Sequence, residues 1–197
     1  GPASPGRRDE RKRPSPARFP LPPGEKFGTM AETNDHGEAP PMRQDHEPYM
    51  RQALALAEEA AAAGEVPVGC VIVDESGQVL GRGRNRREED HDPLAHAELL
   101  AIQDACRSHG DWRLKHARLY VTLEPCPMCA GGILSARIPE IYYGAKDAGF
   151  GACGSILNLF EENFRHHPKI IGHILEDECR QVLQDFFAGV RQKDMQT

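Results

Sequence analysis

Two short segments carry residue types that can do metal chemistry. His96-Ala97-Glu98 supplies an imidazole and a carboxylate, and Cys126-Pro127-Met128-Cys129 supplies two thiols three residues apart. Positions i and i+3 are neighbours on a helix face, so both sulfurs are expected on one side. The N-terminal end of a helix also stabilises thiolates through its partial positive charge. Two thiolates and one imidazole suit Zn²⁺, with Zn–S of about 2.3 Å and Zn–N of about 2.0 Å.

The ligand count separates structure from catalysis. Structural zinc sites close with four protein ligands, whereas catalytic sites leave one position for water. His91 precedes the expected helix start and Cys153 sits in a glycine-rich loop, so neither is well placed as a fourth ligand. That leaves His96, Cys126 and Cys129, with Glu98 free to take a proton from water and pass it to a substrate nitrogen. Residues i and i+2 are about 200° apart on a regular helix, so helical spacing alone does not put His96 and Glu98 on one face. A redox reading of the Cys pair leaves His96-x-Glu98 unexplained.

The elements that must position these groups follow from periodicity. Met50, Ala53, Leu54, Ala57, Ala60 and Ala61 predict a helix over 47–63, closed by Gly64. The apolar run 66–73 predicts a strand buried on both faces, and 78–85 a more exposed one after the turn at 74–77. Asp92-Pro93 reads as a helix start, with Asp as N-cap and Pro first, running to about 108. A third strand is expected over 118–123, a helix from Cys126-Pro127 to 136, and a fourth strand over 138–143. A short helix over 155–164, a strand near 169–174 and a last helix over 176–191 complete the pattern. Cys179, Val182, Leu183, Phe186, Phe187 and Val190 form the apolar stripe of that last helix. Phe186 and Phe187 read first as core, and second as rings able to stack on a loop base. Helices alternating with strands after a hairpin imply a three-layer α/β/α domain with a mixed sheet.

H-x-E followed by P-C-x-x-C is a signature of zinc nucleobase deaminases, and the sequence resembles that superfamily over about residues 47–191. At finer grain it is similar to the bacterial-type tRNA-specific adenosine deaminases. The residues that carry this are Asn85-Arg86, Asp92 to Glu98, Tyr120 to Gly132, Tyr143 to Asp147, Gly154-Ser155 and Asp185-Phe186-Phe187. The resemblance implies a cytidine-deaminase-like fold with a five-stranded mixed sheet, and a homodimer whose sites draw on both subunits. It implies one Zn²⁺ per subunit on His96, Cys126 and Cys129, and conversion of adenosine to inosine at the wobble position of a tRNA anticodon loop. Glu98 would shuttle protons, Asn85 would contact the extruded base, and Asp147 the nucleotide backbone nearby. Two positions depart from the family pattern. Gly132 stands where alanine is usual, and the loop Ala148-Gly149-Phe150-Gly151 lacks a lysine that relatives often carry.

The whole chain bounds these readings. It has 197 residues, 39 % apolar and 27 % charged, with a net charge of −6. That composition excludes a fibrous chain and a protein that coats nucleic acid by bulk charge. There is no run of about 18 uncharged apolar residues, so no membrane span is expected. Residues 1–41 are rich in proline and charge, lack any period, and read as a disordered tail. The opening Gly1-Pro2 suggests that part of that tail derives from a tag, with Met30 as a candidate start. Residues 42–197 read as the deaminase domain. No secretory segment is visible, so the six cysteines read as free thiols and ligands in a cytoplasmic protein. Arg82, Arg84, Arg86 and Arg87 form a basic cluster near a strand end, which reads as a solvated edge or part of an RNA surface with Lys146 and Arg191. A free guanine or cytosine deaminase, and a non-enzymatic zinc-stabilised domain with four ligands, are the competing readings.

Overall fold

The computed structural model describes residues 46–195. The expected tail over 1–41 lies outside them. Helix α1 (Glu47–Ala62) ends before Gly64, whose φ of +83° reverses the chain. Strands β1 (Gly69–Val73) and β2 (Val79–Arg84) form the hairpin. The Asp74 carboxylate accepts the N–H of Gln78 to close the turn between them. A single turn, α2 (Arg87–Asp90), precedes α3 (Ala97–His109). Strand β3 (Arg118–Leu123), helix α4 (Pro127–Ala136) and strand β4 (Glu140–Ala145) follow, then a 3₁₀ turn (Leu159–Glu161), β5 (Lys169–Ile171) and α5 (Glu176–Asp194).

The five strands lie in the order β2-β1-β3-β4-β5. Pairing is antiparallel from β2 to β3 and parallel from β3 to β5, so the sheet is mixed as expected. Alternate residues point to opposite faces. Ile72, Leu119 and Ile141 pack with residues of α3 and α4. Val71, Tyr120 and Tyr142 pack with residues of α1 and α5 on the other face. Three layers result. Helices pack closely on the sheet at glycines: a Cβ on Gly69 would fall 2.0 Å from the Ala53 carbonyl oxygen of α1, and one on Gly83 2.1 Å from the Ala97 carbonyl oxygen of α3. At Gly132 an alanine would meet side-chain ends, the Leu99 Cδ2 at 2.5 Å and the Ile102 Cδ1 at 3.8 Å.

Several elements differ from expectation. The run 66–73 forms a strand only from Gly69, since Pro67 has no N–H to pair. Strand β4 begins at Glu140 rather than 138. The Ile138 N–H turns back to the Ile133 carbonyl and Pro139 has none to give. The expected helix over 155–164 is an irregular loop with one 3₁₀ turn, held by side chains described below. The helix expected at Asp92-Pro93 starts at Ala97. Asp92 does accept the Leu94 N–H, but this only forms a turn.

Candidate active site

The late start of α3 matters chemically. His96 is its N-cap, with extended backbone angles of φ −82° and ψ 148°. It therefore escapes the helical rotation that would turn it away from Glu98. Asn85, at the end of β2, makes this possible. Its Oδ1 accepts the Ala97 N–H at 3.0 Å, and its Nδ2 donates to the Val66 carbonyl at 3.0 Å. Cys126 is likewise the extended N-cap of α4, with Pro127 in the first turn as expected.

These caps bring the three expected ligands together. The His96 Nδ1 lies 3.5 Å from the Cys129 Sγ and 3.8 Å from the Cys126 Sγ. All three donor atoms lie within 4.8 Å of one another. A tetrahedral zinc with ordinary bond lengths needs N···S separations of about 3.6 Å, so the donor set fits that ion. Among the described residues the cluster has no fourth member; His91 and Cys153 are not in it.

The protonation pattern fits the same chemistry. A hydrogen bond from Cys129, then contact with His96, pulls the Cys126 thiol down to about 4. The same bond and burial push Cys129 up. Both sulfurs must be thiolates to bind zinc, so metal binding would release the proton that Cys129 holds. Glu98 is 4 % exposed, and burial pushes its carboxyl up to about 7.

His96, Cys126 and Glu98 line a cavity of about 730 Å³ that also takes in Asn85, Asp147 and Met128. Asp147 lies on this cleft, but its Oδ1 also accepts the N–H groups of Gly149 and Phe150. Of the basic cluster, Arg84 pairs with Glu89, and Arg86 with Glu89 and Asp90. Arg87 and Lys146 line the cleft, whereas Arg82, Arg84, Arg86 and Arg191 do not. The core reading of Phe187 is corrected. The apolar stripe of α5 buries Cys179 but leaves Phe187 43 % exposed on the cleft.

Two buried carboxylates were not singled out from the sequence. Glu124 follows β3 and is 2 % exposed. It accepts the N–H groups of Cys153 (2.9 Å), Ser155 (3.0 Å) and Asp147 (3.1 Å), and the Ser155 hydroxyl. Burial alone would raise its carboxyl, but these four donors hold it below the usual carboxylate range. Glu65 accepts the N–H groups of Glu88 and Glu89, both at 2.9 Å, and so anchors α2 beside the cleft. A charged residue directly after an apolar strand and two before a ligand was the available signal for Glu124.

Comparison with known proteins agrees with this geometry. Residues 43–145 match the cytidine and deoxycytidylate deaminase zinc-binding region. The chain is 44 % identical over 153 residues to a tRNA-specific adenosine deaminase of Bacillus subtilis (strain 168), covering 77 % of this chain and 94 % of that one. A solved structure from work on A-to-I editing by tRNA:A34 deaminases at the wobble position superposes with a TM-score of 0.66 and 42 % identity, over 69 % of this chain and 99 % of that one. A guanine deaminase structure from Bacillus subtilis gives a TM-score of 0.50 and 40 % identity, over 54 % of this chain and 71 % of that one.

Proposed function

The chain belongs to the cytidine and deoxycytidylate deaminase family and, within it, to the tRNA-specific adenosine deaminases; from that premise we propose that its cleft hydrolyses adenosine to inosine at the wobble position of a tRNA anticodon. The observation that carries this is the cluster of His96, Cys126 and Cys129 beside the buried Glu98. These three side chains would hold one zinc ion per chain. Zinc in such a site supplies a Lewis acid that brings the pKa of a water to about 7.

The remaining work falls to the protein. Glu98, shielded from solvent, accepts a proton on its carboxylate and delivers it to N1 of the adenine. It then takes the remaining proton from the oxygen added at C6 and gives it to the 6-amino group, so that C6 keeps that oxygen as a carbonyl and ammonia leaves. Asn85 would present its remaining amide hydrogen to the extruded base, its other groups being used to fix the start of α3. Asp147 would face the nucleotide backbone. An anticodon base is already unpaired, so extruding it costs little.

A guanine deaminase relative keeps the free-base reading alive. Two cations on the cleft rim, Arg87 and Lys146, favour a phosphate-bearing substrate instead. No helix among the described residues is long and apolar enough to cross a membrane. Six free thiols fit a cytoplasmic enzyme. The family resemblance supports a homodimer, which would cover part of the exposed apolar surface that includes Leu94, Ile156 and Phe164. Ammonia release from an anticodon stem-loop, compared with free guanine and cytosine, tests the substrate class. Sedimentation tests the dimer.

A further inference from the structure

Phe150 is 72 % exposed on the cleft rim, yet its backbone is firmly held. Its N–H donates to the Asp147 Oδ1 at 3.1 Å, which also takes the Gly149 N–H at 2.8 Å. The next N–H, of Gly151, donates to the Asp147 carbonyl at 3.0 Å. Gly151 leaves no room for a side chain, since a Cβ there would fall 2.5 Å from the Glu124 carboxyl carbon. Glu124 in turn fixes both flanks of the loop through Asp147 and Ser155. An isolated exposed apolar residue is ordinary. Here, however, a buried carboxylate and a set of backbone bonds hold an aromatic ring out at the mouth of a reaction cleft.

Its surroundings indicate what would cover the ring. Arg87 and Lys146 line the same cleft and have no carboxylate partner among the described residues, whereas Arg84 and Arg86 are paired. Phe187 offers a second exposed ring from α5. Aromatic faces interleaved with unpaired cations are the arrangement that binds single-stranded nucleic acid, by stacking on bases and tracking phosphates. An apolar protein segment or a lipid would leave the cations unmatched. We propose that Phe150 stacks on an unpaired base next to the adenosine being deaminated, and so helps to position the RNA. This rests on the reading of the cleft as a tRNA deaminase site. The loop Ala148-Gly149-Phe150-Gly151 carries no cation of its own, so the contact it offers is one of stacking rather than charge.

The test uses the full-length zinc enzyme and an anticodon stem-loop with adenosine at the wobble position. Phe150→Ala is expected to raise KM about tenfold, within the range for loss of one base–aromatic stack, with little change in kcat. Phe150→Trp is expected to restore KM. The penalty is expected to be equal at low and high salt, since stacking releases no counterions. It is expected to vanish when the neighbouring nucleotide on one side is made abasic. Binding is read separately, from the quenching of 2-aminopurine placed beside the wobble position. Quenching by the wild type that is lost in Phe150→Ala supports the stack even if no deamination occurs, and the failure then belongs to the proposed reaction. An unchanged KM, a penalty that survives both abasic substitutions, or tight binding without quenching overturns the role of Phe150. Absence of any RNA binding overturns both proposals.

Discussion

The backbone N–H of Ala97 donates to the side-chain oxygen of Asn85 at 3.0 Å, joining the end of strand β2 to the first turn of helix α3. His96 sits between this bond and the rest of the site, in an extended conformation. One amide thus caps the helix, fixes the backbone beside the proposed metal ligand His96 and borders the cleft.

Asn85→Ala is therefore expected to lower stability by about 0.5–2 kcal/mol, the range for a lost N-cap. Turnover is expected to fall as well, because the backbone at His96 is no longer fixed. Urea unfolding and steady-state rates check this. Unchanged stability would remove the capping role.

Glu98→Gln is expected to keep the fold and one zinc per chain while turnover drops about 10²–10⁴-fold, the usual contribution of a positioned acid–base group. The amide cannot accept a proton from water, and the three ligands are untouched. Metal analysis beside single-turnover rates separates the two effects. Near-normal turnover would show that another group carries the proton.

Cys126→Ala is expected to abolish stoichiometric zinc and lower the melting temperature, because metal binding in such a site is also folding free energy. Chelator treatment of the wild type is expected to reproduce the shift, with zinc reversing it. Retention of one zinc per chain by the variant would exclude Cys126 as a ligand.

Glu124 gives the fold an acid-sensitive joint. Its folded carboxyl lies below the usual range. It therefore stabilises the fold fully above its unfolded value of about 4.3. That contribution fades as pH falls through the lower, folded value. Glu124→Gln is expected to cost about 1.5–3 kcal/mol at neutral pH, the range for hydrogen bonds to a buried charge. The loss relative to wild type is expected to shrink with acidification. Parallel stability curves from pH 7 to pH 3 would contradict this.

The clustering of His96, Cys126 and Cys129 was legible because the pattern behind it is local. A C-x-x-C behind a strand and a proline in the first helical turn need no tertiary information, and α4 starts where they indicate. The start of α3 was misread for the opposite reason. Asp92-Pro93 has the local form of a helix start, but the cap that Ala97 uses comes from Asn85, twelve residues away and in another element. The same holds for the loop after β4. Its apolar and glycine pattern allowed a short helix over 155–164, whereas Glu124, about thirty residues upstream, takes the N–H groups of Cys153 and Ser155. The Phe187 end of the α5 stripe has helical periodicity like any core helix. Phe187 is nevertheless 43 % exposed on the cleft, because a helical period does not say which turns of the helix are covered.

One nucleotide analysis decides whether this cleft deaminates a wobble adenosine. The full-length zinc-loaded protein is incubated with an anticodon stem-loop carrying adenosine at the wobble position. The RNA is then digested to nucleosides and inosine is quantified, with free adenine, guanine and cytosine as parallel substrates. The expected result is one inosine per stem-loop at the wobble position, none when that adenosine is moved into the stem, and no ammonia from the free bases. Rapid ammonia release from guanine with no inosine in the RNA would contradict the claim and assign the site to free-base deamination.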